Sequence, residues 1–295
     1  MVSEVNPIKV ALLGTGLMGI PMAQRILKAN LPLVVYNRTV EKTEPLQAAG
    51  AQVAASAADA VHDADCVILM LTNAKAVQAV LLSGPLQPNL SGRTVIQMGT
   101  IAPTQSKAIA SAIAQAGGEY LEAPVLGSLP QAQKGELIVM VGSTPEQFER
   151  WQALLQCFGP DPRWIGPVGQ AASLKLAMNQ LIAALSAAFA LSLGFIQRQG
   201  VEVDQFMEIL RTSALYAPTF DKKLSNMLSR NFANPNFPTK HLLKDVDLFL
   251  SEATASGLET SSLQGVRYLL EQAIAQGLGE ADYSALAAAV NPQEP

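Results

Sequence analysis

Gly14-Thr15-Gly16-Leu17-Met18-Gly19 decides the fold, because of what stands on either side of it. Before it, residues 8–13 form a short apolar run broken by one Lys. After it, Pro21-Met22-Ala23-Gln24-Arg25-Ile26-Leu27 carries apolar side chains at helical spacing. An apolar run, a glycine turn and an amphipathic segment read as strand, turn and helix. Each glycine does something different in such a turn. Gly14 makes it tight, Gly16 lets the backbone approach a pyrophosphate, and Gly19 lets the helix pack on the strand. The helix start that follows points backbone N–H groups at the place where an anion can sit. The stretch therefore predicts a dinucleotide-binding unit, with Thr15, Leu17 and Met18 in the same cradle.

Outward from this turn, residues 33–36 read as a second strand that ends at Asn37-Arg38-Thr39. An NAD site usually offers Asp or Glu there to the ribose hydroxyls. No acid stands at these three positions. Arg38 instead offers a charge-assisted grip on a 2′-phosphate, with Asn37 and Thr39 as neutral hydrogen-bonding neighbours. This predicts NADP(H) rather than NAD. Further strands are expected over residues 66–71, 95–98, 120–121 and 138–141, and helices over 41–49, 108–116 and 146–157. Apolar runs of this kind, alternating with helices, suit a parallel sheet covered on both faces. Residues 158–169, rich in Gly and Pro, read as a boundary. Beyond it the strand signals stop and helical patterns cover residues 171–199, 203–212, 220–228, 241–256, 261–276 and 283–290. The predicted fold is α/β: a Rossmann-type, doubly wound parallel sheet, then a long linking helix and an all-helical C-terminal domain. The domains are drawn at residues 1–165, binding NADP(H), and 166–295, serving substrate and oligomerisation.

Composition narrows the function. Hydrophobic residues make up 49% of the chain and charged ones 15%, a balance that favours burial over disorder. Lys and Arg total 20 against 24 Asp and Glu, and no terminus carries a basic block, so nucleic acid is not the expected partner. Cys66 and Cys157 do not make a disulfide framework, and with His62 and His241 they do not suggest a metal centre. They read as buried small hydrophobes in a reducing compartment. Residues 1–7 include Glu4 and no basic run, which argues against a signal peptide and for a cytoplasmic protein. Residues 176–196 carry no charge and are long enough to span a membrane. Asn179, Gln180, Ser186, Ser192 and the many alanines favour instead a helix packed within a domain or between subunits.

The motifs together resemble the beta-hydroxyacid dehydrogenase family, over nearly the whole chain. Gly14-Thr15-Gly16-Leu17-Met18-Gly19-Ile20-Pro21-Met22-Ala23 is similar to the family's opening motif, whose Met and Ala are more specific than the glycines. Leu71-Thr72-Asn73 matches the loop after the third strand of the family's sheet, which passes close to the cofactor. Gln97-Met98-Gly99-Thr100-Ile101-Ala102-Pro103 resembles the segment that places a Ser or Thr, here Thr100, near nicotinamide and substrate. Glu122-Ala123-Pro124-Val125-Leu126-Gly127-Ser128 resembles the substrate signature D-A-P-V-S-G-G, with Glu122 for Asp, Leu126 for Ser and Ser128 for Gly. Lys175 and Asn179 match the catalytic Lys and the Asn four residues on, although Ala171 stands where the family has Gly. Lys240-His241-Leu242-Leu243-Lys244-Asp245 resembles a later K-D motif, with Lys244 near the cofactor and Asp245 its companion. Phe237 falls among the family's substrate-pocket positions.

The resemblance implies an NADP(H)-dependent oxidoreductase that forms homodimers or homotetramers through its helical domain, with the active site in the cleft between domains. Arg38 and the Glu-Ala-Pro-Val start point to the glyoxylate/succinic semialdehyde reductase branch. The alternatives are 3-hydroxyisobutyrate or tartronate semialdehyde chemistry, imine reduction (in relatives whose catalytic Lys is replaced) and a non-catalytic binding role. Lys175 is the expected proton donor, with Asn179 one turn along the same helix face. Thr100, Val125, Leu126, Gly127, Ser128 and Phe237 are the expected substrate neighbours. Each has a plainer reading beside it: Thr100 as a helix cap, Asn179 as a packing polar group, Lys244 as a solvated lysine, Leu126 and Phe237 as core.

Overall fold

The computed structural model describes residues 7–82 and 89–292; Glu4 and the rest of residues 1–6 lie outside them. The chain divides into two compact units, Met1–Lys175 and Leu176–Pro295.

The first unit opens with β1 (Val10–Leu13), α1 (Gly19–Lys28) and β2 (Leu33–Tyr36). There follow α2 (Glu44–Ala48), β3 (Gln52–Val53), α3 (Ala57–His62), β4 (Cys66–Leu69), α4 (Ala74–Val77), β5 (Thr94–Gln97) and α5 (Pro103–Gln115). It ends with β6 (Glu119–Glu122), β7 (Val125–Leu126), α6 (Leu129–Lys134), β8 (Ile138–Gly142), α7 (Pro145–Leu155) and β9 (Arg163–Gly166). The strands lie in the order β3-β2-β1-β4-β5-β6, all parallel. Both faces of β1 are buried. Val10 and Leu12 pack with Met22, Ile26, Leu121 and Phe158, while Ala11 and Leu13 pack with Val67, Leu69, Val95 and Ile109. Two apolar faces on one strand are why helices cover both sides. Order reverses at β1, so the crevice beyond its carboxyl end, at Gly14, is where such a sheet receives a ligand.

Past β6 the sheet stops being parallel. β8 runs antiparallel to β6, β7 antiparallel to β8, and β9 parallel to β8. The expected parallel sheet is therefore mixed at this edge. β9 also lies inside the stretch read as a boundary. Its four residues are bracketed by Pro162 and Pro167, and as a strand at the sheet's edge it leaves Arg163 and Trp164 exposed. The helix expected over residues 41–49 is split, a 3₁₀ turn (Val40–Thr43) giving way to α2. Pro45 suits the first turn of α2, where its missing N–H is no loss.

α8 (Gln170–Arg198) starts in the first unit and continues into the second. The second unit adds α9 (Val203–Thr212), α10 (Pro218–Ser229), α11 (Thr239–Ala255), α12 (Ser261–Ala273) and α13 (Leu286–Val290). Ala183, Phe189, Ala190 and Leu193 of α8 share a core with Met207, Phe220, Leu242, Val246, Leu270 and Leu286. Phe189 stacks on Phe220, ring centres 4.7 Å apart. α8 is long and apolar enough to cross a membrane; here one of its faces is the core of a helical unit.

Candidate active site

The glycine loop has no room for side chains except where a ligand would approach. A Cβ on Gly14, whose φ is +106°, would lie 2.4 Å from the Met70 carbonyl oxygen, and one on Gly19 would lie 2.0 Å from the Gly14 carbonyl. A Cβ on Gly16 would meet nothing within 4 Å. The loop is thus closed on the protein side and open at Gly16, the shape a pyrophosphate needs ahead of a helix N-terminus. The Thr15 N–H donates to Asn37 Oδ1 at 3.1 Å, and Asn37 Nδ2 donates to the Thr39 carbonyl at 2.8 Å. Asn37 therefore ties the loop to the end of β2, and Arg38 and Thr39 are left exposed beside it. Lys42, exposed in the following 3₁₀ turn, is a second cation that reading the strand end alone passed over. Leu17 is exposed and Met18 packs against the core. These residues fit a dinucleotide.

Leu71 is half-buried, and its carbonyl lies 2.4 Å from where a Gly99 Cβ would be, so β4 and β5 end in close approach. Thr72 is exposed. Asn73 serves the helix that follows it, since its Oδ1 accepts the Ala76 N–H at 2.9 Å and caps α4.

Lys175, on the second turn of α8, shares a pocket with Gln97, Gly99, Thr100, Ser106, Glu122 and Ala172. It is 9% exposed. A lysine so buried is not a solvated surface residue, and Thr100 in the same pocket is not the cap of α5. That helix is capped at Ala102, whose N–H donates to Gln105 Oε1 at 3.1 Å. Gln97 Nε2 donates to the Gly99 carbonyl at 2.9 Å and holds the turn that presents Thr100.

Glu122 behaves differently from the rest of its motif. Its Oε1 accepts the N–H groups of Gly169 and Ala172 at 2.8 and 3.0 Å, and its Oε2 accepts the Ser106 hydroxyl. Tyr120 Oη lies 2.7 Å from Ser106 Oγ. Burial holds the Tyr120 hydroxyl far above its ordinary pKa, so it stays a neutral donor. Pro124 lines the Lys175 pocket, and Val125 is buried in the core. Leu126 is half-buried and pairs with Ile138 on β8. Gly127 is exposed with φ +140°, where a side chain would be strained. Ser128 stands at the N-cap position of α6, and its N–H and hydroxyl both donate to Gln131 Oε1, at 3.0 and 2.6 Å.

In the second unit, Asn179 is 1% exposed and its Nδ2 donates to Asp245 Oδ2 at 2.6 Å. Lys244 Nζ pairs with Asp245 Oδ1 at 2.8 Å. Asp245 thus joins the two residues that the motifs singled out on α8 and α11. Burial, then the Lys244 and Lys240 ammonium groups, hold the neighbouring His241 below its usual pKa. Phe237 is half-buried and meets Tyr283 edge-on, ring centres 5.9 Å apart.

Sequence reading missed what Ser106 and Glu122 do. Ser106 did leave a signal: it stands three and seven residues before Ile109 and Ile113, a hydroxyl on an otherwise apolar buried stripe.

Residues 9–166 match the family described as the NAD binding domain of 6-phosphogluconate dehydrogenase. Residues 169–290 match the family described as NAD-binding of NADP-dependent 3-hydroxyisobutyrate dehydrogenase. The chain is 30% identical over 284 residues to glyoxylate/succinic semialdehyde reductase 1 of Arabidopsis thaliana, covering 96% of this chain and 98% of that one. It is 32% identical over 295 residues to NAD-dependent L-serine dehydrogenase of Pseudomonas aeruginosa, covering 97% and 99%. Among solved structures, it matches a 3-hydroxyisobutyrate dehydrogenase of Mycobacterium tuberculosis solved with L-serine. The TM-score is 0.85 at 21% identity, over 95% of this chain and 98% of that one.

Proposed function

This chain belongs to the 3-hydroxyisobutyrate dehydrogenase-like family of NAD(P)-binding oxidoreductases, and from that premise we propose that it is an NADPH-dependent reductase of small carboxylate-bearing aldehydes. Glyoxylate would yield glycolate, and succinic semialdehyde 4-hydroxybutyrate. The observation that carries the reading is a nearly buried lysine, Lys175, sharing a pocket with Thr100 in the unit that holds the glycine loop.

NADPH, when bound, supplies the hydride. The aldehyde oxygen gains negative charge as its carbon is reduced, and the Lys175 ammonium stabilises that charge and delivers the proton from Nζ. In the reverse direction the neutral amine takes the hydroxyl proton. Thr100 offers a hydroxyl to orient the carbonyl. Asn179, one turn further along α8 and held by Asp245, keeps its side chain in a single orientation. The donors of Ser128 are engaged by Gln131, so carboxylate recognition falls to backbone N–H groups near Gly127 and to the positive field of Lys175. Arg38 and Lys42, with no acid at residues 37–39, favour a 2′-phosphate.

The second reading is oxidation of a 3-hydroxy acid, or tartronate semialdehyde reduction. Leu126, which replaces the hydroxyl of the resembled signature, bears on every one of these acids alike, so the choice between the readings rests on the rates below. The proposal includes a soluble cytoplasmic protein that assembles as a homodimer or homotetramer. Leu191 and Phe195 of α8, each 63% exposed, supply apolar surface for that assembly, and light scattering after gel filtration measures its size.

Initial rates with NADPH and NADH against glyoxylate, succinic semialdehyde, tartronate semialdehyde and methylmalonate semialdehyde test the reading. Turnover of the first two with NADPH supports it. Turnover of only the last two moves the chain to the second reading, and none at all, despite tight NADPH binding, sinks both.

A further inference from the structure

α8 carries Lys175, yet its N-cap residue offers no side chain to cap it. Its N-cap position is Gly169, with φ +102°, and a Cβ there would lie 2.4 Å from Lys107 Cε. The positive φ strains any Ser, Thr or Asp placed there to cap the helix. The Gln170 N–H donates to the Pro167 carbonyl at 3.1 Å, and the N–H groups of Gly169 and Ala172 still need an acceptor. It comes from the end of β6: one oxygen of Glu122 takes the N–H groups of both Gly169 and Ala172.

The surroundings are built for this carboxylate, which is 1% exposed. Its register partner on β8 is Gly142, and a Cβ on Gly142 would lie 2.5 Å from Glu122 Oε1. Ser106 occupies the second oxygen, and Tyr120 backs Ser106. The negative charge also faces the positive end of the helix dipole. An Asp at this position would end one methylene short of the same reach.

We propose that Glu122 is a positioning residue: its carboxylate, by capping the first turn of α8, sets the depth and rotation at which Lys175 enters the pocket. Lys175 stands three residues beyond Ala172, and Glu122, Ala172 and Lys175 line the same pocket. A shift of the first turn is therefore a shift of the Lys175 ammonium. The catalytic consequence rests on the proposed role of Lys175; the positional one does not.

The test compares the native protein with E122A and E122Q, using three readouts. The first is amide exchange in the peptide over residues 167–176. The second is the rate at which Lys175 is reductively methylated, followed by peptide mass spectrometry without nucleotide. The third is kcat alongside the NADPH Kd. E122A should speed exchange at Gly169 and Ala172 and change the Lys175 methylation rate by about tenfold or more. It should lower kcat by about 100-fold, the scale of a misplaced reacting group, while the NADPH Kd moves less than about threefold. E122Q keeps a carbonyl acceptor and should recover most of the loss, which a merely structural site would not show as a split between kcat and Kd. Unchanged exchange and unchanged Lys175 methylation in E122A overturn the proposal. So does a kcat loss matched by an equal loss of NADPH affinity. If E122A does not fold, the test passes to E122D, whose shorter reach should reproduce the exchange and methylation changes; native values there overturn the proposal. If the native protein reduces no aldehyde while exchange and methylation shift as expected, the aldehyde reading fails and the positioning role stands.

Discussion

A lysine on an apolar helix has two explanations, a stem lying on the surface with its head in water or a working ammonium, and helical spacing supports both equally. At Lys175 burial argues against the first, and the proposed role is the second. Replacing it with Ala should lower kcat by about 10² to 10⁴, the range general acid–base catalysis supplies. Fluorescence titration should find NADPH binding within about threefold of native; a large loss of nucleotide affinity would make Lys175 a cofactor ligand instead. Arg38→Gln is the matching experiment at the other end of the nucleotide. Losing a charge-assisted contact worth about 1.5–3 kcal/mol should weaken NADPH by roughly 10- to 100-fold and leave NADH binding unchanged. Equal effects on both nucleotides would assign Arg38 to the pyrophosphate or to no ligand. Other residues were legible only in part. Asn73 and Ser128 stand in the resembled motifs, yet Asn73 caps α4 and both donors of Ser128 go to Gln131. The type of a polar side chain says that it will hydrogen-bond, not whether backbone or ligand will be its partner.

Long elements were readable because periodicity accumulates with length. Residues 203–212 came out as α9, end to end, and residues 220–228 fall within α10. β3 and β7 have two residues each, too few for a period to declare itself. The glycine loop lies between these cases, since its spacing carries it. Gly19→Ala would place a Cβ 2.0 Å from the Gly14 carbonyl. The loop has to shift, at a cost of about 1–3 kcal/mol typical of overpacking. Urea denaturation should find that loss, together with weakened binding of NADPH and NADH alike. A native midpoint with native affinity would mean that the loop is looser than its geometry implies.

Each unit holds its own core, and the second also holds a buried ion pair. Lys223 Nζ lies 2.8 Å from both oxygens of Asp282, which also accepts the Ser284 N–H and hydroxyl, and Lys223 stands over the Tyr283 ring. Lys223→Met strands a buried carboxylate and should cost about 3–5 kcal/mol, read as a lower thermal midpoint. The double variant with Asp282→Asn should regain part of it, and a neutral Lys223→Met would show that the pair is solvated. The sequence alone determined the α/β architecture, the helical C-terminal unit, the nucleotide cradle and the family. These rest on local periodicity, on glycines where no side chain fits, and on motifs contiguous along the chain. Only the tertiary structure decided that β7 and β8 run against the sheet, that Asp245 joins Asn179 to Lys244, and that Glu122 caps the helix of Lys175. Asn179 and Glu122 find those partners 66 and 47 residues away, and a hydrogen bond over such a span leaves no periodicity or spacing in the sequence to read.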